Sequence, residues 1–215
     1  MARLLRAKIV VVSDSVAQGR REDRSGPALR ELLQARGWVV AAYEVLPDES
    51  DQIRQRLETW TDLDDCDAVF TTGGTGLGPR DITPEATRAL LEKEIPGLAE
   101  LMRAEGLTKT RMAALSRGVA GGRKGKLIIN LPGSIRGACE SLESIVEVLP
   151  HAGSTSSRVA PRMRNNLLRA CAWRPRCPFD WIFCLTPHLL CYHSTSSKEE
   201  ASACFTNTDR SLSFL

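Results

Sequence analysis

The stretch Thr71-Thr72-Gly73-Gly74-Thr75-Gly76, followed by Pro79-Arg80-Asp81-Ile82-Thr83-Pro84-Glu85-Ala86, decides how this chain reads. It comes directly after the apolar run Asp67-Ala68-Val69-Phe70, so a strand, a flexible turn and a helix start succeed one another. Glycines let a backbone approach a ligand closely, and successive amides with threonine hydroxyls suit anionic oxygens, which is phosphate-binding chemistry. The spacing fits neither G-x-G-x-x-G nor G-x-x-x-x-G-K-[ST], so it indicates neither the dinucleotide fingerprint nor the P-loop. On these residues alone, a tight strand-to-helix turn without a ligand stays open.

Working outward, Lys8 to Val12 is a β-branched run of the kind buried on both faces in a parallel sheet, and it ends in Ser13-Asp14-Ser15. Ser25-Gly26-Pro27 starts a helix with Leu29, Leu32 and Leu33 on one face and Gly37 as its stop. Residues 38–46 read as a second strand closed by Pro47-Asp48-Glu49, and residues 50–60 as a helix carrying Ile53, Leu57 and Trp60. Helices are predicted from Thr83-Pro84-Glu85, where proline fits the first turn and the acid suits the dipole, and from Pro96, with Leu98, Leu101 and Met102. A fourth strand at 126–129 runs into Asn130-Leu131-Pro132-Gly133-Ser134, and a last helix at 137–148 places Leu142, Ile145, Val146 and Leu149 inward.

Alternating strands and helices predict an α/β fold, a three-layer α/β/α domain with a mainly parallel sheet. In such sheets ligands bind at the carboxyl ends of the strands, and Ser13-Asp14, Pro47-Asp48-Glu49, the glycine turn and Asn130 would all fall there.

Of the 215 residues, those through Ala152 hold 21 Lys and Arg against 22 Asp and Glu, whereas the rest hold 8 against 4. A nearly neutral main domain argues against an electrostatic nucleic-acid binder. Only Cys66 and Cys139 of the seven cysteines precede residue 153, which suits a reducing compartment. The charged start Met1 to Lys8 does not resemble a signal peptide, and no run reaches the eighteen or so apolar residues of a membrane helix. A cytoplasmic protein with no membrane association is the expectation.

From Lys8 to Ala152 the chain resembles the molybdopterin adenylyltransferase family, the bacterial-type enzymes and gephyrin-like G domains. The resemblance rests on Val12-Ser13-Asp14-Ser15, Asp23-Arg24-Ser25-Gly26, Val45 to Glu49, Thr71 to Gly76, Pro79 to Ala86, Leu115-Ser116-Arg117, Ile128 to Ser134 and Leu149-Pro150-His151-Ala152. It implies transfer of AMP from ATP to molybdopterin with Mg²⁺, releasing pyrophosphate, in molybdenum cofactor biosynthesis. It implies Asp48 and Asp81 as the catalytic pair and metal ligands. It implies Ser13, Asp14, Thr72, Gly73, Gly74, Thr75, Gly76, Ser116, Asn130, Pro132, Gly133 and Ser134 as the binding positions. A homotrimer is implied, as is a molybdenum-insertion domain or enzyme as partner. A non-catalytic pterin carrier or a gephyrin-type scaffold is the alternative.

Simpler roles stand beside these. Asp48 suits an exposed turn, Asp81 a cap for the helix near Pro84, and Asp14 a cap for its own loop. The run Asp62, Asp64, Asp65 and Asp67 lacks the glycine of a calcium loop and reads as solvated, and Arg123-Lys124-Gly125-Lys126 reads as a basic surface loop. Residues 153–215, opening on Gly153-Ser154-Thr155-Ser156-Ser157, share nothing with the family and read as an unstructured tail. A zinc site from Cys177, Cys184, Cys191, His188 and His193 lacks the usual ligand spacing.

Overall fold

The computed structural model describes residues 4–152, and in them the apolar run at 8–12 lies in strand β1 (Arg6–Val12), buried from Ala7 onward. It is followed by a single-turn helix α1 (Asp14–Ala17), α2 (Ser25–Ala35), β2 (Val39–Leu46), α3 (Ser50–Asp62) and β3 (Ala68–Thr72). Then come α4 (Thr83–Arg88), β4 (Lys93–Glu94), α5 (Pro96–Lys109), a 3₁₀ turn (Arg111–Leu115), β5 (Ala120–Arg123), β6 (Lys126–Leu131) and α6 (Ile135–Ile145). The expectations for residues 153–215, zinc site included, lie outside the described residues.

The six strands form one sheet in the order β2-β1-β3-β6-β5-β4. The first four of these run parallel, while β5 is antiparallel to β6 and β4 to β5. Alternation along the strands sends successive side chains to opposite faces. Ile9, Val11, Phe70 and Ile129 pack with Leu29 and Leu33 of α2, Leu98 and Met102 of α5, and Leu142 and Ile145 of α6. Val10, Val12, Val69 and Ile128 pack with Ile53, Leu57 and Trp60 of α3 and Ala86 of α4. The predicted three layers are therefore present. Leu57 and Leu142 are fully buried on opposite faces, and truncating either to alanine costs about 2–5 kcal/mol.

The helix starts follow local chemistry. The Asp23 carboxylate accepts from the main-chain N–H groups of Ser25 (3.0 Å) and Gly26 (3.2 Å) at the start of α2. Ser134 Oγ accepts from the Gly137 N–H at 3.2 Å and so caps α6. On α5 the buried face runs through Leu98, Ala99 and Met102, leaving Leu101 exposed.

Two strands were not predicted. β5 reads Ala-Gly-Gly-Arg, and a Cβ on Gly121 would stand 2.5 Å from the Lys93 carbonyl oxygen, so glycine permits the close pairing with β4. Lys124 and Gly125 both take positive φ, 48° and 76°, as a two-residue hairpin requires. The basic loop expected at 123–126 is thus a hairpin turn, and Arg123 and Lys126 are buried rather than on the surface. Arg123 donates to Glu58, Asp62 and Thr61 on α3. Lys126 reaches Asp64 at 3.4 Å, and buried Lys8 pairs with Asp65 at 2.6 Å. The acidic run expected to be simply solvated supplies countercharge to these basic groups.

Candidate functional site

Register places the carboxyl ends of the parallel strands level, with Val12 beside Leu46, Val11 beside Thr72 and Thr72 beside Leu131. Ser13-Asp14, Asp48 and the glycine turn therefore share one edge. Asn130 departs from the expectation that it follows its strand: it lies within β6 and is buried. Its Nδ2 donates to Thr71 Oγ1 (2.8 Å) and Thr87 Oγ1 (2.9 Å), and its Oδ1 accepts from the Val119 N–H (3.3 Å). Its amide hydrogens are used in tying β6 to β3 and α4.

Gly73 and Gly74 have φ of 105° and 62°, so this turn is closed to other residues without strain. A Cβ on Gly73 would collide with the Val12 carbonyl, and one on Gly74 would collide with the Thr83 hydroxyl and lie 3.3 Å from Asp48 Oδ1. One on Gly76 would lie 2.8 Å from Asp81 Oδ2. The bare backbone of the turn thus runs between the two acids, Asp48 beside Gly74 and Asp81 beside Gly76.

Asp48 and Asp14 hold each other. Asp48 Oδ2 accepts from the Asp14 N–H at 2.8 Å, and Asp14 Oδ1 accepts from the Asp48 N–H at 3.0 Å. Arg80 then forks onto both oxygens of Asp14, Nε at 2.9 Å from Oδ2 and Nη2 at 2.9 Å from Oδ1, so Asp14 is a cross-link between strand ends. Asp81 does not cap α4, whose cap position is Ile82. Its Oδ2 accepts instead from the Gly78 N–H at 2.7 Å. Neither Asp48 nor Asp81 forms an ion pair among the described residues, and each keeps its Oδ1 without a hydrogen-bond donor. Burial pushes the Asp48 carboxyl above its ordinary range, helped by the charges of Asp14 and Asp81 and opposed by the Asp14 amide and Arg80. The Thr83 hydroxyl is buried beneath Gly74 with no hydrogen-bond partner. Sequence reasoning passed over Thr83 and Arg80 as site residues, although both stand in the motif that carried Asp81.

A cavity of about 350 Å³ opens on the other side of the turn. Gly74, Thr75, Gly76, Asp81, Ser116, Asn130, Pro132, Gly133 and Ser134 line it, with Met102, Met112 and Leu115 forming an apolar side. Ser13, Asp14, Asp48, Thr72 and Gly73 lie outside that lining. Ser13 Oγ is 3.1 Å from Ser15 Oγ, and Thr72 Oγ1 donates to the Pro132 carbonyl at 2.7 Å. The arrangement offers main-chain amides and hydroxyls to anionic oxygens, beside carboxylate oxygens of the hard type that magnesium takes. No group of three or more His, Cys, Asp or Glu among the described residues is arranged to hold a metal. Cys66 is buried, and that burial pushes its thiol up to about 11.

The sequence profile of a family described as a probable molybdopterin binding domain matches residues 8–151. The chain belongs to this family. It is 42% identical over 145 residues to a molybdopterin adenylyltransferase of Helicobacter pylori strain J99, covering 66% of this chain and 82% of that one. It is 45% identical over 148 residues to the molybdenum cofactor synthesis protein cinnamon of Drosophila melanogaster, covering 67% of this chain but 24% of that protein. It therefore spans only about a quarter of the fruit-fly relative. Among solved structures, the molybdopterin biosynthesis enzyme MoaB of Thermus thermophilus superposes with a TM-score of 0.69 at 54% identity, over 73% of this chain and 99% of that one. The solved relative confirms the fold.

Proposed function

We propose that the chain is a molybdopterin adenylyltransferase acting in molybdenum cofactor biosynthesis, transferring AMP from ATP to molybdopterin. The observation that carries this reading is the glycine turn, threaded between two carboxylates that have no ionic partner among the described residues and opening onto a cavity with a polar and an apolar side. Several relatives carry the adenylyltransferase name, and the chain covers most of their length.

In this reaction an oxygen of the molybdopterin phosphate attacks the α-phosphorus of ATP. A new P–O bond forms, the bond from the α-phosphorus to the bridging oxygen breaks, and pyrophosphate leaves with that electron pair. The nucleophile is ionised at neutral pH, so the site needs no strong base; positioning and charge compensation account for the catalysis. Amides of the turn and the hydroxyls of Thr75 and Ser116 would hold phosphate and pterin oxygens, and the apolar side of the cavity suits a ring face.

Asp48 and Asp81 would hold Mg²⁺ through the oxygens that the protein leaves free, with waters and substrate phosphates completing the set. The unpartnered Thr83 hydroxyl beside them supports a site whose polar groups await a ligand. The cation would neutralise charge on the triphosphate. A homotrimer, a cytoplasmic location and delivery to a molybdenum-insertion domain or enzyme belong to the same reading. Exposed Leu77 and Leu107, outside the cavity lining, support assembly, and sedimentation should give three times the 23.6 kDa chain mass. Among the described residues, no helix is long and apolar enough to cross a membrane.

The test is incubation with molybdopterin, Mg²⁺ and ATP labelled at the α-phosphate, which should give labelled adenylylated pterin and unlabelled pyrophosphate. Absence of labelled pterin sinks the enzyme reading, and tight pterin binding in that case selects the carrier.

A further inference from the structure

Arg117 follows Ser116 in the loop between the 3₁₀ turn and β5, and its guanidinium is shared by three acceptors on three different segments. Its Nε donates to the Gly76 carbonyl at 2.6 Å, its Nη2 to the Asp81 carbonyl and its Nη1 to the Glu85 carboxylate in the first turn of α4. Its own main-chain N–H donates to the Thr75 carbonyl at 3.0 Å. From behind, Arg103 Nη1 of α5 reaches the carbonyls of Ser116 (3.5 Å) and Gly118 (3.4 Å) and backs the loop that carries Arg117.

The bond from the Asp81 carboxylate to Gly78 is local, across one turn, and does not determine where that turn stands relative to the glycine turn. The guanidinium adds to two other ties in this region, the Thr83 N–H to the Gly74 carbonyl at 3.1 Å and the Arg80 fork on Asp14, and it joins the Gly76 and Asp81 carbonyls and the Glu85 carboxylate through one rigid group. A planar fork of five donors does this, and a lysine ammonium on a flexible stem does not.

We propose that Arg117 is the positioning residue of this site: it locks the Asp81 turn against the glycine turn and so sets the Asp81 carboxylate opposite Asp48. It touches no reacting atom. The inference rests on the reading of Asp48 and Asp81 as the cation-organising pair. Displacing a catalytic group by about 1 Å costs on the order of 10²-fold in rate, so loss of this lock should appear in turnover before it appears in pterin binding.

The variants are Arg117→Lys, Arg117→Gln and Glu85→Gln, with Asp81→Asn as the reference for a lost carboxylate. In the free protein, amide exchange at Gly78 should speed up by about tenfold in both Arg117 variants while β3 and β6 keep their protection. Mn²⁺ titrated alone, followed by its paramagnetic signal, should need about tenfold more metal for half-saturation, since ordering the ligands falls to the ion. In the complete reaction kcat should drop about 10²-fold, with KM for molybdopterin changing less than about threefold. Glu85→Gln, which touches one arm of the fork, should shift all readouts the same way by less.

Unchanged Gly78 exchange and Mn²⁺ titration in well-folded Arg117 variants overturn the proposal. So does pterin affinity falling in step with kcat, or exchange rising throughout the sheet, because either makes Arg117 a general brace. If the wild type transfers no AMP, the functional reading fails while Gly78 exchange still decides whether Arg117 holds the Asp81 turn.

Discussion

At the amino ends of the parallel strands Lys8, Arg123 and Lys126 each meet a carboxylate, whereas at the carboxyl ends Asp48 and Asp81 meet only main-chain amides. Both edges contain charge that folding has partly withdrawn from water. At the first edge the opposite charge offsets that desolvation, and the result is a fold held across α3, β1, β5 and β6. At the second edge Arg80 compensates Asp14, whereas Asp48 and Asp81 form no ion pair among the described residues, and the charges of Asp14 and Asp81 add to the burial that pushes the Asp48 carboxyl up. The comparison separates charges that are paired within the fold from carboxylates that form no ion pair among the described residues.

The largest expected effect lies at the second edge. Asp81→Asn should lower turnover by about 10³-fold, about 4 kcal/mol of transition-state stabilisation, with pterin affinity nearly kept. Initial rates beside a pterin fluorescence titration measure both, and unchanged turnover removes Asp81 from the mechanism. At the paired edge, Arg123→Met should leave kcat per folded molecule unchanged and cost about 2 kcal/mol, since half-exposed Glu58 and Asp62 are resolvated once released. In calorimetry that is a melting point lower by about 4–8 °C; a fall in kcat instead would break the division between the edges.

Two smaller effects carry opposite signs with pH. The Asp48 pKa is raised in the fold, so its contribution to stability is present below the unfolded carboxylate range and is lost as pH rises through the folded value. Asp48→Asn should therefore melt slightly higher than the wild type at neutral pH, the gain vanishing on acidification, although turnover is lost. Asp62 is the reverse case, held below its ordinary range by hydrogen bonds from Arg123 and then Lys124. Its stabilisation is present above the unfolded carboxylate range and is lost as pH falls through the folded value. Asp62→Asn should melt slightly lower at neutral pH, with the difference closing in acid. Equal signs in the two melting series would remove the electrostatic contrast.

The central strands were legible because a run such as Ile9-Val10-Val11-Val12 fits few environments other than a sheet covered on both faces. The glycine turn was legible because its composition admits few backbones. β5 was not, since Ala-Gly-Gly-Arg has no strand pattern and pairs with β4 only because glycine lets another backbone come close. Arg123 and Lys126 were misplaced for a related reason. A basic cluster reads as solvated until the fold brings Glu58, Asp62 and Asp64 against it. Asn130 reads as following its strand because the apolar run stops at Ile129, whereas pairing with Thr71 of β3 carries β6 on through Leu131, and the Asn130 amide then meets Thr71 and Thr87 from distant parts of the chain.

The sequence by itself determined the alternation of strands and helices, the edge at which polar groups gather and the motifs that mark the family. These depend on local propensity, periodicity and spacing, which act between near neighbours. Tertiary structure alone decided which charges are paired and which are left open: that the acidic run answers the basic hairpin, that Asp14 is taken by Arg80, and that Arg117 bridges Gly76, Asp81 and Glu85. Pairing depends on separations between residues tens of positions apart, and those separations exist only once the sheet has ordered its strands.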